Sequence, residues 1–313
     1  MPPKNTSGTD DGYRVVIASE EAPDSRVVIE IQVESEPTPE PTPEPTPEPT
    51  PEPTPEPTPS VTVLSTTIHS SAAIRNYTSY EADADALLAE PLTLTLPAEG
   101  PQILILHTHG SEAYTPDADK PYESCGDWRT TDSAHNVIRV GEALKTALEE
   151  YGLTVLHDTE LYDYPSYDGA YARSAEAIER YLAEYPDIAV VIDLHRDALG
   201  TEDAIYKTVT DTGETSAAQL MFVMGTDESL EHPDWRENLR LALTLQQAAE
   251  QAYPSLMRPI DLSCWRYNQQ YTKGSMILEV GTCGNSLGEA LEAVERFASV
   301  AGPIFAERVE NAE

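Results

Sequence analysis

The chain has 313 residues, enough for one or two domains, and a formal net charge of -36 from 19 Lys and Arg against 55 Asp and Glu. This acidity argues against nucleic acid as a partner, because phosphate binding requires a basic face, and against adhesion to anionic lipid. The three cysteines, Cys125, Cys264 and Cys283, have no CxxC spacing and predict no disulfide framework.

The N-terminal part of the chain divides by composition. Residues 1–35 are mostly polar, and their short alternating runs cannot form a core, so we expect a disordered or fragmentary segment. Residues 36–60 repeat Pro-Thr-Pro-Glu, and proline at every second position fixes φ and removes donors, which predicts an extended polyproline II linker. A docking motif for a proline-binding domain is the alternative. Residues 61–100 form a transitional segment.

From about Pro101 the chain alternates between strands and helices. This order predicts an α/β catalytic domain over 101–313, with a mostly parallel open sheet flanked by helices. The strands were placed by short apolar runs and the helices by apolar residues at spacings of three and four. The predicted strands are 102–106, 153–157, 188–194, 219–225 and 275–281, and the predicted helices are 136–152, 172–186, 235–254 and 286–305.

Ionisable residues lie at the ends of three of these strands. His107, His109 and Glu112 follow the first strand, His195 follows 188–194, and Glu279 lies near the end of the last strand. Because the carboxyl ends of parallel strands meet at one edge of a sheet, we expect these side chains to share a site. Two histidines and a carboxylate are a ligand set for catalytic zinc, whose fourth position stays open for water.

Each candidate also has a structural interpretation. Asp132 lies just before the first long helix and would suit an N-cap, and Glu112 could be a surface acid. Glu279 is harder to explain without a site, because apolar residues flank it and buried glutamate is rare unless it is paired or ligated. These residue types therefore favour a shared polar site without deciding every member.

The chemistry expected of such a site is metal-assisted hydrolysis. A metal ion polarises a carbonyl, and a carboxylate carries a proton from water to the leaving amine. We expect Glu279 to be that base, with Arg196 or Arg129 orienting the carboxylates or stabilising the oxyanion. A cysteine hydrolase built on Cys283 and His195 is an alternative, although cysteine is often only a small buried hydrophobic residue.

Four stretches, HTHGSEAYTP, RTTDSAHNVIRVGEAL, VVIDLHRDA and MILEVGTCGN, resemble in this order the stage II sporulation protein P family. The resemblance covers residues 101–305. It implies a fold similar to the zinc-dependent N-acetylmuramoyl-L-alanine amidases, a Zn2+ cofactor, peptidoglycan as substrate and endopeptidase activity in addition. It also implies a role in forespore engulfment, with stage II sporulation proteins D and M as partners.

By position, the resemblance implies His109 and His195 as zinc ligands and Glu279 as the catalytic glutamate. It leaves the third ligand open between Glu112 and Asp132; an aspartate is shorter than the amidases' glutamate and would bring the metal closer to the helix. The alternative function is a non-catalytic wall-binding or scaffold protein of the same fold.

The expected location follows from the same resemblance. Family members are extracytoplasmic and carry an N-terminal membrane anchor. No stretch of this sequence reaches about 18 consecutive apolar residues, and its first residues lack the apolar centre of a signal peptide. We therefore expect that the N-terminus is incomplete.

Overall fold

The computed structural model describes most of the chain from residue 72 onward. The described residues are 60–63, 72–117, 121–200, 204–210 and 215–310. They belong to one unit, Pro59–Glu313. The polar segment 1–35 and the Pro-Thr-Pro-Glu repeat up to residue 59 lie outside the described residues, so the predictions made for them remain predictions.

Strands and helices alternate along most of the described chain. The strands are β1 Ser60–Val63, β2 Ile74–Asn76, β3 Ile103–Leu106, β4 Val155–His157, β5 Val190–Asp197, β6 Ala204–Lys207, β7 Val209–Thr210, β8 Ala217–Ala218, β9 Leu220–Gly225, β10 Ile260–Ser263 and β11 Gly274–Thr282. The helices are α1 Ala84–Leu88, α2 Val137–Glu149, α3 Ala170–Glu184, α4 Trp235–Ala252 and α5 Leu287–Ala306, with a short 3-10 helix at Gln269–Tyr271.

A seven-stranded sheet organises these elements, in the order β2-β10-β9-β11-β5-β3-β4. Its neighbouring strands pair in parallel except for β9 and β11, which are antiparallel. Strands β3, β5 and β11 therefore point their carboxyl ends to the same edge, as the sequence predicted. The predicted fold class, α/β with a mostly parallel open sheet flanked by helices, is confirmed.

Both faces of this sheet are covered, and the alternation of side chains along the strands explains how. Ile103 and Ile105 belong to the large core cluster that includes residues of α2, α4 and α5, whereas Leu104 and Leu106 pack in a second cluster with Ala177 of α3. Within β5, Val191 lies in the α3 cluster. Because side chains alternate along a strand, Asp193 and His195 continue that same face.

Helices α2 and α5 begin at polar caps that the sequence carries. The Asn136 side chain accepts a hydrogen bond from the Ile138 N–H at 3.0 Å and starts α2. At α5, Ser286 and Glu289 form a reciprocal capping box. Within the described ranges, no helix has the length and apolar character needed to cross a membrane.

The structure differs from the predicted elements in several places, and three of them bear on the site and on the extent of the unit. Strand β5 runs on to Asp197, so His195 lies within the strand rather than after it. The short strand β10 was missed because four residues, IDLS, give too little alternation to stand out. Residues 72–100 are more than a transitional segment, because β2 pairs with β10 and Leu94 and Leu96 are buried in the core. The unit thus begins before residue 101, the start expected for the catalytic domain.

Candidate active site

The carboxyl ends of β3, β5 and β11 bring three of the predicted residues to one edge of the sheet. In the parallel pairing of β5 and β11, Glu279 lies directly opposite His195. The loop that follows β3 carries His109, whose ring is perpendicular to that of His195 with 5.3 Å between the ring centroids. Both histidines are buried. The three strand ends therefore bring His109, His195 and Glu279 together, and a functional site at this edge remains a prediction.

His195 lies between two carboxylates. Its Nδ1 is 3.4 Å from Glu112 Oε2, and its Nε2 is 2.9 Å from Asp193 Oδ1. The second contact is a close ion pair, although Nε2 makes no hydrogen bond of normal geometry. Asp193 is fixed from the other side by Thr108, whose backbone N–H and hydroxyl donate to its two carboxylate oxygens at 2.8 Å and 2.6 Å.

The electrostatics follow from this arrangement. Burial alone would lower the pKa of His195, but Asp193 and Glu112 together raise it well above the ordinary value. Burial alone would raise the pKa of Glu112, but Arg196 and His195 hold it below its usual range. Without a bound cation, His195 is thus held between two carboxylates that favour its charged form.

His109 is in a different state from His195. Burial lowers its pKa to about 4, so the ring is neutral. Its Nδ1 is buried without a hydrogen-bond partner, and the nearest carboxylate oxygen recorded, Asp163 Oδ2, is 4.0 Å away. The ring of Tyr167 stacks on His109 at 4.5 Å between centroids, and Tyr171 meets it edge-on. A neutral imidazole with a free nitrogen is the form in which histidine binds metals.

Glu279 is the third residue of the edge. Its side chain is partly accessible, but Oε2 is buried and has no hydrogen-bond partner. Burial raises the pKa of Glu279 to about 8, more than the nearby His195 lowers it. An unpaired carboxylate at a buried position costs free energy and is rarely kept without a function.

The two arginines have structural partners. Arg196 is buried; its Nε donates to the Ala113 carbonyl at 2.9 Å, its Nη2 donates to the Trp128 carbonyl at 2.8 Å, and its backbone N–H donates to Glu112 at 3.1 Å. It therefore holds Glu112 and the surrounding loop, which agrees with the first of its two expected roles, orienting the carboxylates; the second, stabilising the oxyanion, remains a prediction. Arg129 binds Asp163 at 2.5 Å and lies 3.4 Å from Glu112.

Three other candidates do not belong to this group. Asp132 has a half-exposed side chain, accepts from the Ala134 N–H and lies 3.9 Å from His135. It is not the N-cap of α2, since Asn136 has that role. Cys283 is buried, burial raises the pKa of its thiol, and its recorded contact is the Leu199 carbonyl rather than His195. His107 is fully buried, with its Nδ1 against the Leu194 carbonyl.

Sequence reasoning missed two residues that shape the site. Asp163 is buried and contacts His109, Arg129 and the Ser111 N–H and hydroxyl. Thr108 orients Asp193. Asp163 follows β4 by six residues in an irregular loop, so no periodic pattern marks it. Thr108 stands between the two histidines of HTH and could have been suspected from that position alone.

The donors present suit zinc in kind, since two imidazoles and a carboxylate lie together and His109 Nδ1 has no protein partner. Their present arrangement is that of an ion pair, and in the part of the chain that the structure describes no group of three His, Cys, Asp or Glu side chains is placed to hold a metal ion. Zinc binding therefore remains a proposal.

Comparison with known sequences gives one family. A family model described as Stage II sporulation protein P (SpoIIP) matches residues 17–302. The Stage II sporulation protein P of Bacillus subtilis (strain 168) is 30% identical over 224 residues, which are 67% of this chain and 52% of that protein. The chain thus spans about half the length of the curated relative that it matches.

Among solved structures, N-acetylmuramoyl-L-alanine amidases align with about two thirds of the chain. One from Nostoc punctiforme is 10% identical with a TM-score of 0.38 and covers 67% of this chain and 97% of its own. The CwlD amidase of Clostridioides difficile, solved in complex with the GerS lipoprotein, is 12% identical with a TM-score of 0.40 and covers 67% and 100%. Similarities of this size carry no conclusion about activity.

Proposed function

Because the chain belongs to the stage II sporulation protein P family, we propose that it is a peptidoglycan hydrolase. The proposed reaction is that of a zinc-dependent N-acetylmuramoyl-L-alanine amidase, with endopeptidase activity as a second activity. The observation that carries the proposal is the group of buried side chains at one sheet edge, where His109 Nδ1 and Glu279 Oε2 have no hydrogen-bond partner and lie beside His195. Such atoms indicate a missing ligand.

In this proposal His109, His195 and Glu112 hold the zinc ion. Glu112 is preferred to Asp132 as the third ligand because its carboxylate is buried 3.4 Å from His195, whereas Asp132 is half exposed and lies beside His135 instead. Bound zinc would polarise the scissile carbonyl and lower the pKa of a water molecule.

The protein's own residues account for the proton transfers and for positioning. Glu279 takes a proton as water adds to the amide carbonyl carbon, and returns it to the nitrogen as the carbon–nitrogen bond breaks. Arg196 fixes Glu112 through its backbone N–H, and Thr108 fixes Asp193 beside His195. Tyr167, stacked on His109, shields that ring from water.

The place and partners of the reaction belong to the same proposal. The family resemblance supports action on the cell wall during forespore engulfment, outside the cytoplasm and tethered to a membrane. It also supports stage II sporulation proteins D and M as partners. Neither lipid nor nucleic acid is expected to bind the chain's own surface, because its net charge is -36.

The first test is the zinc content of the full chain, measured by elemental analysis for the wild type, His109→Ala and His195→Ala. We expect about one zinc per chain in the wild type and its loss in both variants. His135→Ala, a partly exposed histidine outside the site, is the matched control and should keep its zinc. Wild-type protein that stays free of metal after zinc is supplied would overturn the zinc amidase.

The second measurement identifies the bond that is cut. Peptidoglycan incubated with zinc-loaded protein should release stem peptides with a free alanine amino group and leave unsubstituted muramic acid, as seen by mass spectrometry. If only bonds within the stem peptides are cut, the protein is an endopeptidase and the proposed amidase activity is wrong. The same digestion by Cys283→Ser should be unchanged, and its loss would favour the cysteine hydrolase.

A non-catalytic wall-binding or scaffold protein is the second candidate. It is favoured by the pairing of His195 with Asp193 and Glu112, which satisfies these charges without any metal. The two candidates separate in the same experiments, because a scaffold protein would sediment with peptidoglycan in the presence of a chelator and release no fragments. Loss of sedimentation and no digestion with zinc would reject both.

A further inference from the structure

His107 is a buried polar residue of this edge that the proposed chemistry does not use. Its side chain is fully buried. Its Nδ1 lies 2.8 Å from the Leu194 carbonyl oxygen, and its Nε2 lies 2.9 Å from His157 Nε2. Leu194 immediately precedes His195, so the contact bears directly on the strand position of a proposed ligand.

The sheet itself explains why a side chain is needed at this point. Strand β3 ends at Leu106, which pairs with Asp193, whereas β5 continues to Asp197. In a strand with parallel neighbours, the backbone N–H and C=O of every second residue point to the same neighbouring strand. In β5 these groups of Leu194 and Arg196 point to the β3 side, where β3 has already ended. Backbone groups buried there require other partners.

Two side chains from the segment after β3 supply those partners. The His107 ring meets the Leu194 carbonyl at 2.8 Å, and the Glu112 carboxylate accepts from the Arg196 N–H at 3.1 Å. Together they replace the backbone ladder that β3 would have made. His195 lies between these two fastened peptide groups, while its other neighbour, β11, pairs with it at Glu279.

The chemistry of the partners decides the tautomer of His107. A carbonyl oxygen only accepts hydrogen bonds, so His107 carries a hydrogen on Nδ1. The exposed Glu142 carboxylate, 3.0 Å from His157 Nδ1, also only accepts, so His157 carries a hydrogen on its own Nδ1. The contact between the two Nε2 atoms takes one further hydrogen, on either ring, and the hydrogen on His107 Nδ1 is the same in both arrangements.

Helix α2 is built around this histidine pair. A Cβ atom at Gly141 would lie 2.6 Å from His107 Nε2 and 2.7 Å from His157 Nε2. Only glycine lets the helix approach both rings so closely. The pair is therefore held on one side by α2 and on the other by the Leu194 carbonyl.

We propose that His107 is a positioning residue, which through its Nδ1–H fixes the Leu194 carbonyl and with it the orientation of His195. Its two neighbours in HTH thus have separate tasks: Thr108 orients Asp193, and His109 faces the reacting groups. The expected effect of this positioning on zinc binding rests on the proposed function, whereas the hydrogen bond from His107 to the Leu194 carbonyl does not.

The direct test is the tautomer of His107 in the zinc-free full chain. Histidine-selective 15N labelling and long-range 1H–15N correlation distinguish a ring protonated at Nδ1 from one protonated at Nε2, and His107→Asn identifies the signal by its loss. We expect the Nδ1–H form. An Nε2–H form would overturn the proposal, because that ring could not donate to Leu194.

Two amide variants then separate positioning from simple packing. In His107→Asn the amide N–H takes the place of Nδ1–H, whereas in His107→Gln it lies nearer to Nε2. We expect His107→Asn to bind zinc within about threefold of the wild type, and His107→Gln to bind it about 10–100-fold more weakly, as losses of partners behind metal ligands do. Equal weakening in both variants would overturn the role of Nδ1.

His232→Asn is the matched control, since His232 is fully buried away from the site. It should lower stability without changing zinc affinity. If neither His107 variant folds, the variant His157→Phe can identify the His107 signal instead, because loss of the His157 ring shifts the Nε2 resonance of His107. The tautomer measured in this way then tests the proposal without the zinc affinities. If the wild type binds no zinc, the proposed function is overturned. The proposal on His107 is then still tested by the tautomer of its ring.

Discussion

Two buried polar clusters each include one residue of strand β11, Glu279 in the first and Thr282 in the second. They differ in how completely their polar atoms form hydrogen bonds. The site cluster consists of His109, Glu112, Asp193, His195 and Glu279, and three of its buried side-chain atoms have no hydrogen-bond partner. The helix-start cluster follows it and consists of Lys207, Thr282, Asn285, Ser286 and Glu289.

In the helix-start cluster the central amide uses both of its ends. Asn285 Oδ1 accepts from the Thr282 N–H at 2.9 Å, and its Nδ2 donates to the Thr208 carbonyl and to Glu289, each at 2.9 Å. Glu289 also accepts from Lys207 at 2.6 Å. A complete network stabilises the fold, whereas an incomplete one costs stability and marks a place for a ligand.

The largest expected effect comes from the incomplete cluster. In Glu279→Gln, turnover of peptidoglycan should fall by about 10²–10⁴-fold, because the base is lost. Zinc should be retained, and the free energy of unfolding should stay equal or rise, since a buried carboxylate without a partner is replaced by a neutral amide. Digestion, elemental analysis and urea unfolding measure the three quantities.

The exposed Glu176 on α3 supplies the matched control, Glu176→Gln, which should change none of them. Full turnover in Glu279→Gln would remove this residue from the mechanism. Loss of zinc in the same variant would instead make Glu279 a ligand.

The next effect should come from the complete cluster and act on stability. Asn285→Ala leaves the Thr282 N–H and the Thr208 carbonyl without their buried partner, and we expect a loss of about 2–4 kcal/mol in the free energy of unfolding. Zinc content should not change. Asn76→Ala is the comparison, because the Asn76 hydrogen bonds are exposed and should contribute less than about 1 kcal/mol. A smaller loss at Asn285 than at Asn76 would contradict the difference drawn between the clusters.

The sequence made Glu279 predictable because an ionisable residue inside an apolar run is a local signal. His195 was found in the same way, and the rule for parallel strand ends joined them correctly. Asn285 carries no such signal, since its partner Thr208 is 77 residues away. The capping box of Ser286 and Glu289 is visible in SLGE and could have been identified.

Arg196 shows what the length of a strand decides. The predicted strand ended at residue 194, which left open the face of the sheet to which the Arg196 side chain belongs. The strand in fact runs to Asp197, and the alternation of its side chains directs Arg196 away from the face that carries Asp193 and His195. The sequence left the choice between Glu112 and Asp132 open for a related reason, because it depends on the path of an irregular loop that no pattern specifies.

The smallest expected effect tests the charge within the complete cluster. Burial alone would raise the pKa of Glu289, but hydrogen bonds from Lys207, the Ser286 N–H and Asn285 hold it below its ordinary value. The unfolded chain therefore binds this proton first as the pH falls. Glu289 contributes its full stabilisation above about pH 4.5, and the contribution is lost as the pH falls further.

We expect wild type and Glu289→Gln to differ by on the order of 1 kcal/mol in the free energy of unfolding at about pH 7, and by less at about pH 3.5. Urea unfolding of both proteins at the two pH values measures the change in that difference, in which the other carboxylates cancel. In a Lys207→Met background the difference should shrink, because the principal hydrogen bond to the carboxylate is gone. A difference that is constant with pH would show that Glu289 stabilises the cluster by its shape and not by its charge.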